Sequence, residues 1–242
     1  YYIIASGIGL FFLMKKISII ISLSFKKAIR MLKKTYRLGI SARLEMVQGS
    51  FSIIIISAFL GSFQLGIFSA AFRFYTIILL VYQTIMIALA PYFAKINRLE
   101  KKTKYTYMNI LLIGMVTVGI ISAFLLIITG EFLLSILFGK SFGLSTPVFK
   151  LICFILIPLT PISMLLGSFL IYMNQDKKYM ISTIVAAIVI VIATPLLVIL
   201  FSVKGAVWAL SFSTLSSILV SLYYLHRLLP GWLPFKAFKS MN

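Results

Sequence analysis

Four acids, one histidine and one cysteine are all that this 242-residue chain offers for conventional side-chain chemistry: Glu45, Glu100, Glu131, Asp176, His226 and Cys153. Acid–base hydrolysis needs two carboxylates held together, and nucleophilic catalysis needs a base beside the nucleophile. No two acids here fall within one helical turn of each other, and one peripheral histidine cannot complete a Ser-His-Asp set. A single cysteine within an apolar run makes no disulfide and anchors no cysteine metal site. No glycine-rich phosphate loop opens a helix. The chain is therefore not expected to be an enzyme, and neither a cofactor nor a metal is expected.

The informative residues are charges where charge is expensive. Arg73 lies about nine residues into an apolar run, about 13 Å deep at 1.5 Å per residue, close to the middle of a bilayer core of about 30 Å. Placing a cation there costs at least about 2.5–3.5 kcal/mol, so such a residue faces a cavity, pairs with an acid or snorkels to the interface. Arg43 and Lys150 lie nearer the ends of their runs, within reach of the membrane surface. Glu45 is the only acid inside an apolar run. It stands about 200° around a helix from Arg43, so the two do not pair on one face. Glu45 is a candidate for binding a coupling proton or for pairing with a cation on another helix. Phe68, Phe72, Phe74 and Tyr75 surround Arg73 in sequence, where they either stack on sugar rings or pack against lipid.

These residues are carried on a chain that is 62% hydrophobic, far above the roughly 45–50% of soluble domains, with a mean hydropathy of +1.12. Eighteen of its 23 Lys and Arg residues fall in four stretches: 15–37, 95–104, 177–178 and 227–239. The intervening connections, 61–64, 131–146 and 203–205, hold only Lys140 and Lys204. Alternating basic and neutral connections mark a polytopic membrane protein with its basic loops in the cytoplasm. The net charge of +19 is thereby a topology signal, and nucleic acid is not an expected partner.

The expected fold class is all-α, a polytopic transmembrane helical bundle of six full spans plus a partial N-terminal one. The apolar run Tyr1 to Met14 is too short to cross comfortably and is followed by Lys15 and Lys16, the reverse of a signal peptide, so it reads as the end of a preceding span. Residues 1–37 would thus be that span end plus a basic amphipathic cytoplasmic linker, with Phe25, Ile29, Leu32 and Tyr36 on its apolar face. Residues 38–242 would be a six-span bundle with a cytoplasmic tail. The spans are expected at about 38–60, 64–93, 107–129, 147–173, 179–202 and 205–226, with Phe132 to Phe138 forming a short interfacial helix. Pro158 and Pro161 remove two backbone hydrogen bonds from the fourth span and are candidates for a helix break, either a static kink or a break of the kind transporters use. Gly66-x-x-x-Ala70 and Gly205-x-x-x-Ala209 offer close helix approach, although such pairs are also common by chance in membrane helices.

Four passages together resemble a known family. They are Leu32-Lys33-Lys34-Thr35-Tyr36-Arg37-Leu38-Gly39-Ile40-Ser41; Phe59-Leu60-Gly61 through Leu65-Gly66-Ile67-Phe68-Ser69-Ala70-Ala71 to Ala88-Leu89-Ala90-Pro91; Leu137-Phe138-Gly139-Lys140-Ser141-Phe142; and Lys204-Gly205-Ala206-Val207-Trp208-Ala209. In order and spacing they resemble the C-terminal half of Wzx-type O-antigen flippases, in the polysaccharide-transporter branch of the multidrug/oligosaccharidyl-lipid/polysaccharide exporter superfamily.

The resemblance implies two six-helix bundles around a central lumen, of which this chain would be the second. It implies movement of an undecaprenyl-diphosphate-linked oligosaccharide across the bacterial cytoplasmic membrane by alternating access, driven by a proton or sodium gradient. Arg73, Arg43 and Tyr75 are then lumen candidates for substrate binding, and Glu45 is the coupling candidate. The implied partners are the lipid-linked substrate, membrane lipids, the missing N-terminal bundle, and polymerase and chain-length proteins of the same lipopolysaccharide or capsule pathway. Family members often carry a charged pair where this chain has Gln48-Gly49-Ser50-Phe51-Ser52, all uncharged. The alternatives are a multidrug/cation antiporter of the same superfamily and, lacking any long extramembrane loop with acid–base residues, a membrane polysaccharide polymerase.

Overall fold

A computed structural model describes residues 25–96, 99–138 and 140–232. Residues 37–242 form one compact unit and residues 1–36 another. The expected partial span at 1–14 and the end of the tail lie outside the described residues, as does the lysine pair 15–16.

Every element among the described residues is helical. In lipid no water pairs with exposed backbone groups, so a spanning segment must satisfy them internally, and a helix does so. Helix α1 runs Phe25–Ile96, α2 Lys101–Phe138, α3 Thr146–Leu151, α4 Ile157–Tyr172, α5 Asp176–Phe201 and α6 Val203–Leu228. A 3-10 segment, Lys140–Ser145, leads into α3, and a π turn, Ile152–Leu156, joins α3 to α4. Among the described residues, five helical stretches are long and apolar enough to cross a membrane.

The expected first and second spans are the two arms of α1. Gly61 separates them at φ 80° and ψ 178°, a conformation essentially confined to glycine. A Cβ built on Gly49 would lie 4.0 Å from the ring of Phe72. In one straight helix residues so spaced would be about 34 Å apart, so the chain folds back at Gly61 and the arms lie side by side. The interfacial helix expected at Phe132 to Phe138 is not separate. No proline interrupts the run, and α2 continues through it to Phe138. Gly130, just before that stretch, leaves the space that the Phe149 ring occupies.

The tightest approach is between α5 and α6. Ser202, at φ 55°, turns the chain, and a Cβ on Gly205 would fall 1.9 Å from the carbonyl oxygen of Leu197. Hydroxyls tie the same pair: Ser213 donates to the Ala186 carbonyl (2.8 Å), and Ser182 bonds Ser217 and Ser221 (2.9 and 3.0 Å). Gly66, by contrast, meets nothing within 4 Å, so the two small-residue pairs do different things.

The connections sort to two ends. Phe63, Gln64, Leu144, Pro147, Ser202 and Lys204 share one hollow at the first end. At the second, the Trp232 indole donates to Asn109 (2.9 Å) and the Tyr105 hydroxyl to the Pro230 carbonyl (3.2 Å), drawing the segment after α6 against α2. Lys95, Lys101, Lys102, Lys104, Lys177, Lys178 and Arg227 flank the turns of the second end, whereas the first carries Lys140, Lys150 and Lys204. Large apolar side chains such as Leu80, Phe124, Ile188 and Ile192 are more than half exposed around the middle of the bundle. Water would not tolerate so continuous an apolar belt, and lipid accounts for it. The chain is a multi-pass membrane protein.

Candidate functional site

Between the two ends, both arms of α1 and helices α4, α5 and α6 enclose an open groove with a cavity of about 610 Å³. That volume lies within the range of small-molecule sites. Its lining is mostly apolar, with a hydroxyl or amide on every wall, among them Gln48, Gln83, Thr160, Ser163, Thr183 and Ser217. Glu45 is the only charged residue among those that line it.

Three local features set this lining. Gly167 on α4 is buried, and a Cβ there would come within 2.8 Å of the Tyr179 ring, so the missing side chain makes room for that ring against α4. From that position the Tyr179 hydroxyl donates to Glu45 Oε1, joining α5 to the first arm of α1. Second, Tyr75 is buried, with its hydroxyl 3.1 Å from that of Thr160, which also donates to the Leu156 carbonyl (2.7 Å). Third, Phe72 packs tilted against Tyr75 with ring centroids 5.3 Å apart, and both rings line the groove.

The residues singled out from the sequence part company here. Tyr75 and Glu45 line the groove, whereas Arg73 and Arg43 are exposed and do not. The Arg43 guanidinium donates to the Met46 sulfur (3.8 Å), and Arg73 contributes its carbonyl to Thr76 (2.7 Å). Depth along a helix does not fix the face, and both arginines, expected in a lumen between two bundles, lie outside this groove within one bundle. Arg73 stands between Phe72 and Phe74, and it is Phe72 and Tyr75 that turn to the groove. Lys150 forms an ion pair with Glu131 (2.5 Å) on the exposed surface. Phe68 and Phe74 are buried in the core rather than set against the groove.

Pro158 and Pro161 do not leave an unwound gap. The residues flanking the π turn keep right-handed helical angles, and Pro158 falls in the first turn of α4, where its missing N–H is least costly. The π turn immediately before it takes up the mismatch that a proline imposes on the preceding turn. Gly119 on α2 lets that region pack closely: a Cβ there would come 3.0 Å from Pro161 and 3.1 Å from Pro158.

Sequence reasoning passed over Tyr179 and Gln83, and noted Gln48 only as part of an uncharged stretch. A single hydroxyl or amide in an apolar helix looks ordinary. The available signal was their number, since they recur at one to two turns along three of the walls.

No curated protein and no solved structure matches the chain. The family model described as polysaccharide biosynthesis protein matches residues 96–242. That match covers more than half of the chain, and the helical, lipid-facing bundle agrees with the transporter-like membrane proteins that generally make up the family. On these grounds the chain belongs to the polysaccharide biosynthesis protein family.

Proposed function

We propose that this chain is part of a flippase that carries an undecaprenyl-diphosphate-linked oligosaccharide, an O-antigen or capsule repeat unit, across the bacterial cytoplasmic membrane. The observation that carries this reading is the groove, a cavity open within an otherwise lipid-facing bundle whose largely apolar walls carry hydroxyls and amides. Hydroxyls and amides facing a cavity among membrane helices are costly unless a polar cargo or water meets them. The basic end of the bundle faces the cytoplasm, following the positive-inside rule. The substrate's lipid stays in the bilayer while its headgroup passes through the polar interior, and a change of access moves it to the other leaflet. Arg73 and Arg43, exposed beside the groove, offer charge to the diphosphate. An ion gradient supplies the energy.

The test is complementation. The full-length protein, expressed in cells that lack their own flippase and make a compatible repeat unit, restores surface polysaccharide on a gel. Absence of polymer at normal membrane levels of the protein overturns the reading.

Glu45 favours a second reading, a multidrug/cation antiporter of the same superfamily, because a lone carboxylate in the groove is what exchange of a cation for protons requires. Dye accumulation in cells lacking their efflux pumps separates the two. Lowered accumulation that depends on Glu45 supports the antiporter.

A further inference from the structure

The groove and the exposed cations differ in chemistry, and that difference divides the substrate between them. A diphosphate is recognised by cations and backbone N–H groups. Among the described residues no cation lines the groove, and its one carboxyl side chain, Glu45, brings no positive charge to meet a phosphate. Its helical walls commit their backbone N–H groups to their own helices. What it offers instead suits sugars. The Gln83 side chain is exposed and carries no hydrogen bond within the described residues, so both its carbonyl and its NH2 are free. The Gln48 carbonyl lies 3.4 Å from the Ser213 hydroxyl, whose single proton goes to the Ala186 carbonyl at 2.8 Å, so most of the Gln48 amide's bonding capacity is open to a ligand. An amide presents a donor and an acceptor side by side, the pattern that matches two neighbouring hydroxyls on a pyranose ring. Phe72 and Tyr75 supply adjacent aromatic faces for the apolar face of such a ring. From Tyr75 to Gln83 is eight residues, about 12 Å along the arm, long enough for more than one ring.

We infer that the groove is a glycan subsite: Gln83, Gln48, Phe72 and Tyr75 hold the uncharged sugar rings of the substrate, and the phosphates lie outside it. This deepens the proposed function and rests on it. Recognition by neutral groups makes this bundle the part that distinguishes one glycan from another.

The experiment uses the full-length protein in lipid nanodiscs and two probes, followed by titration calorimetry. One probe is the oligosaccharide pool released by mild acid from the polyprenyl-linked lipids of the protein's own cells. The other is inorganic pyrophosphate. The wild type is expected to bind the oligosaccharides, with pyrophosphate failing to displace them. Gln83→Ala and Gln48→Ala each weaken oligosaccharide binding about tenfold, the effect of one or two lost hydrogen bonds. Gln83 is exposed, so its replacement leaves the core untouched. Displacement by pyrophosphate, or wild-type affinity in both variants, overturns the glycan subsite. So does a wild-type protein that restores surface polysaccharide yet binds no released oligosaccharide. A protein that neither binds them nor restores polysaccharide removes the transport reading as well.

Discussion

Tyr179 donates its phenolic hydrogen bond to Glu45 across two helices whose partners stand 134 positions apart in the chain. The contact ties α5 to the first arm of α1 at the wall of the groove and occupies the only carboxylate there. Tyr179→Phe removes the donor and keeps the ring against Gly167. The expected cost is about 1 kcal/mol in orienting Glu45, a several-fold fall in transport. Glu45→Gln keeps an acceptor for Tyr179 but removes the charge, and is expected to lower transport more. Surface polysaccharide at matched protein levels checks both. Equal, wild-type output from the two variants would remove Glu45 from the transport cycle.

Gly205 is the least replaceable residue of the α5–α6 hairpin. Alanine there would bring its Cβ 1.9 Å from a backbone oxygen, and backbone cannot move aside as a side chain can. Gly205→Ala is expected to destabilise the bundle by about 3 kcal/mol or more. Gly66→Ala, with nothing within 4 Å, is expected to be silent. Thermal melting of the detergent-solubilised full-length protein distinguishes them.

The turn at Gly61 makes a parallel prediction from backbone angles alone. Gly61→Val forces a branched side chain into a conformation that costs about 1–3 kcal/mol. Its signature is reduced accumulation in the membrane with binding by the surviving protein unchanged.

Trp232 and Asn109 are both buried and satisfy one another. Trp232→Phe leaves the Asn109 oxygen without a donor and is expected to cost about 1–3 kcal/mol. Protease nicking near the end of α6, followed by mass spectrometry, reports the release of this segment. Pairing Trp232→Phe with Asn109→Leu is expected to recover part of the loss, since it removes the stranded acceptor.

The Lys150–Glu131 pair is short but exposed, at 49% and 62% of the two side chains. A double-mutant cycle with Lys150→Met and Glu131→Gln is expected to give a coupling of no more than about 1 kcal/mol. A larger value would mean that lipid or another part of the protein covers this end.

Helix class and the alternation of charge between ends were legible from the sequence, because apolar runs and Lys/Arg positions are properties of the chain itself. The hairpin at Gly61 and the turn at Ser202 fell where the runs break. The walls of the groove were not legible. In a lipid-facing bundle apolar residues cover every face of a helix, so periodicity no longer says which side looks inward. Depth placed Arg73 and Tyr75 at nearly the same level, and only packing shows that Tyr75 turns inward while Arg73 does not. Glu45 was noticed for its charge. Its partner Tyr179, a residue type common at membrane interfaces, carried no comparable signal.

The π turn at Ile152–Leu156 acts as a phase shifter. A π turn carries about one residue more than an α turn, so side chains beyond it are rotated by about 100° relative to an uninterrupted α-helix. Lys150, before the turn, points to the exposed surface and pairs with Glu131; Thr160, Ser163 and Gly167, after it, face the groove. Deleting one residue within Ile152–Leu156 would restore an even winding and swing that polar row away from the cavity. The helix would keep its length and its apolar character and lose only its aim.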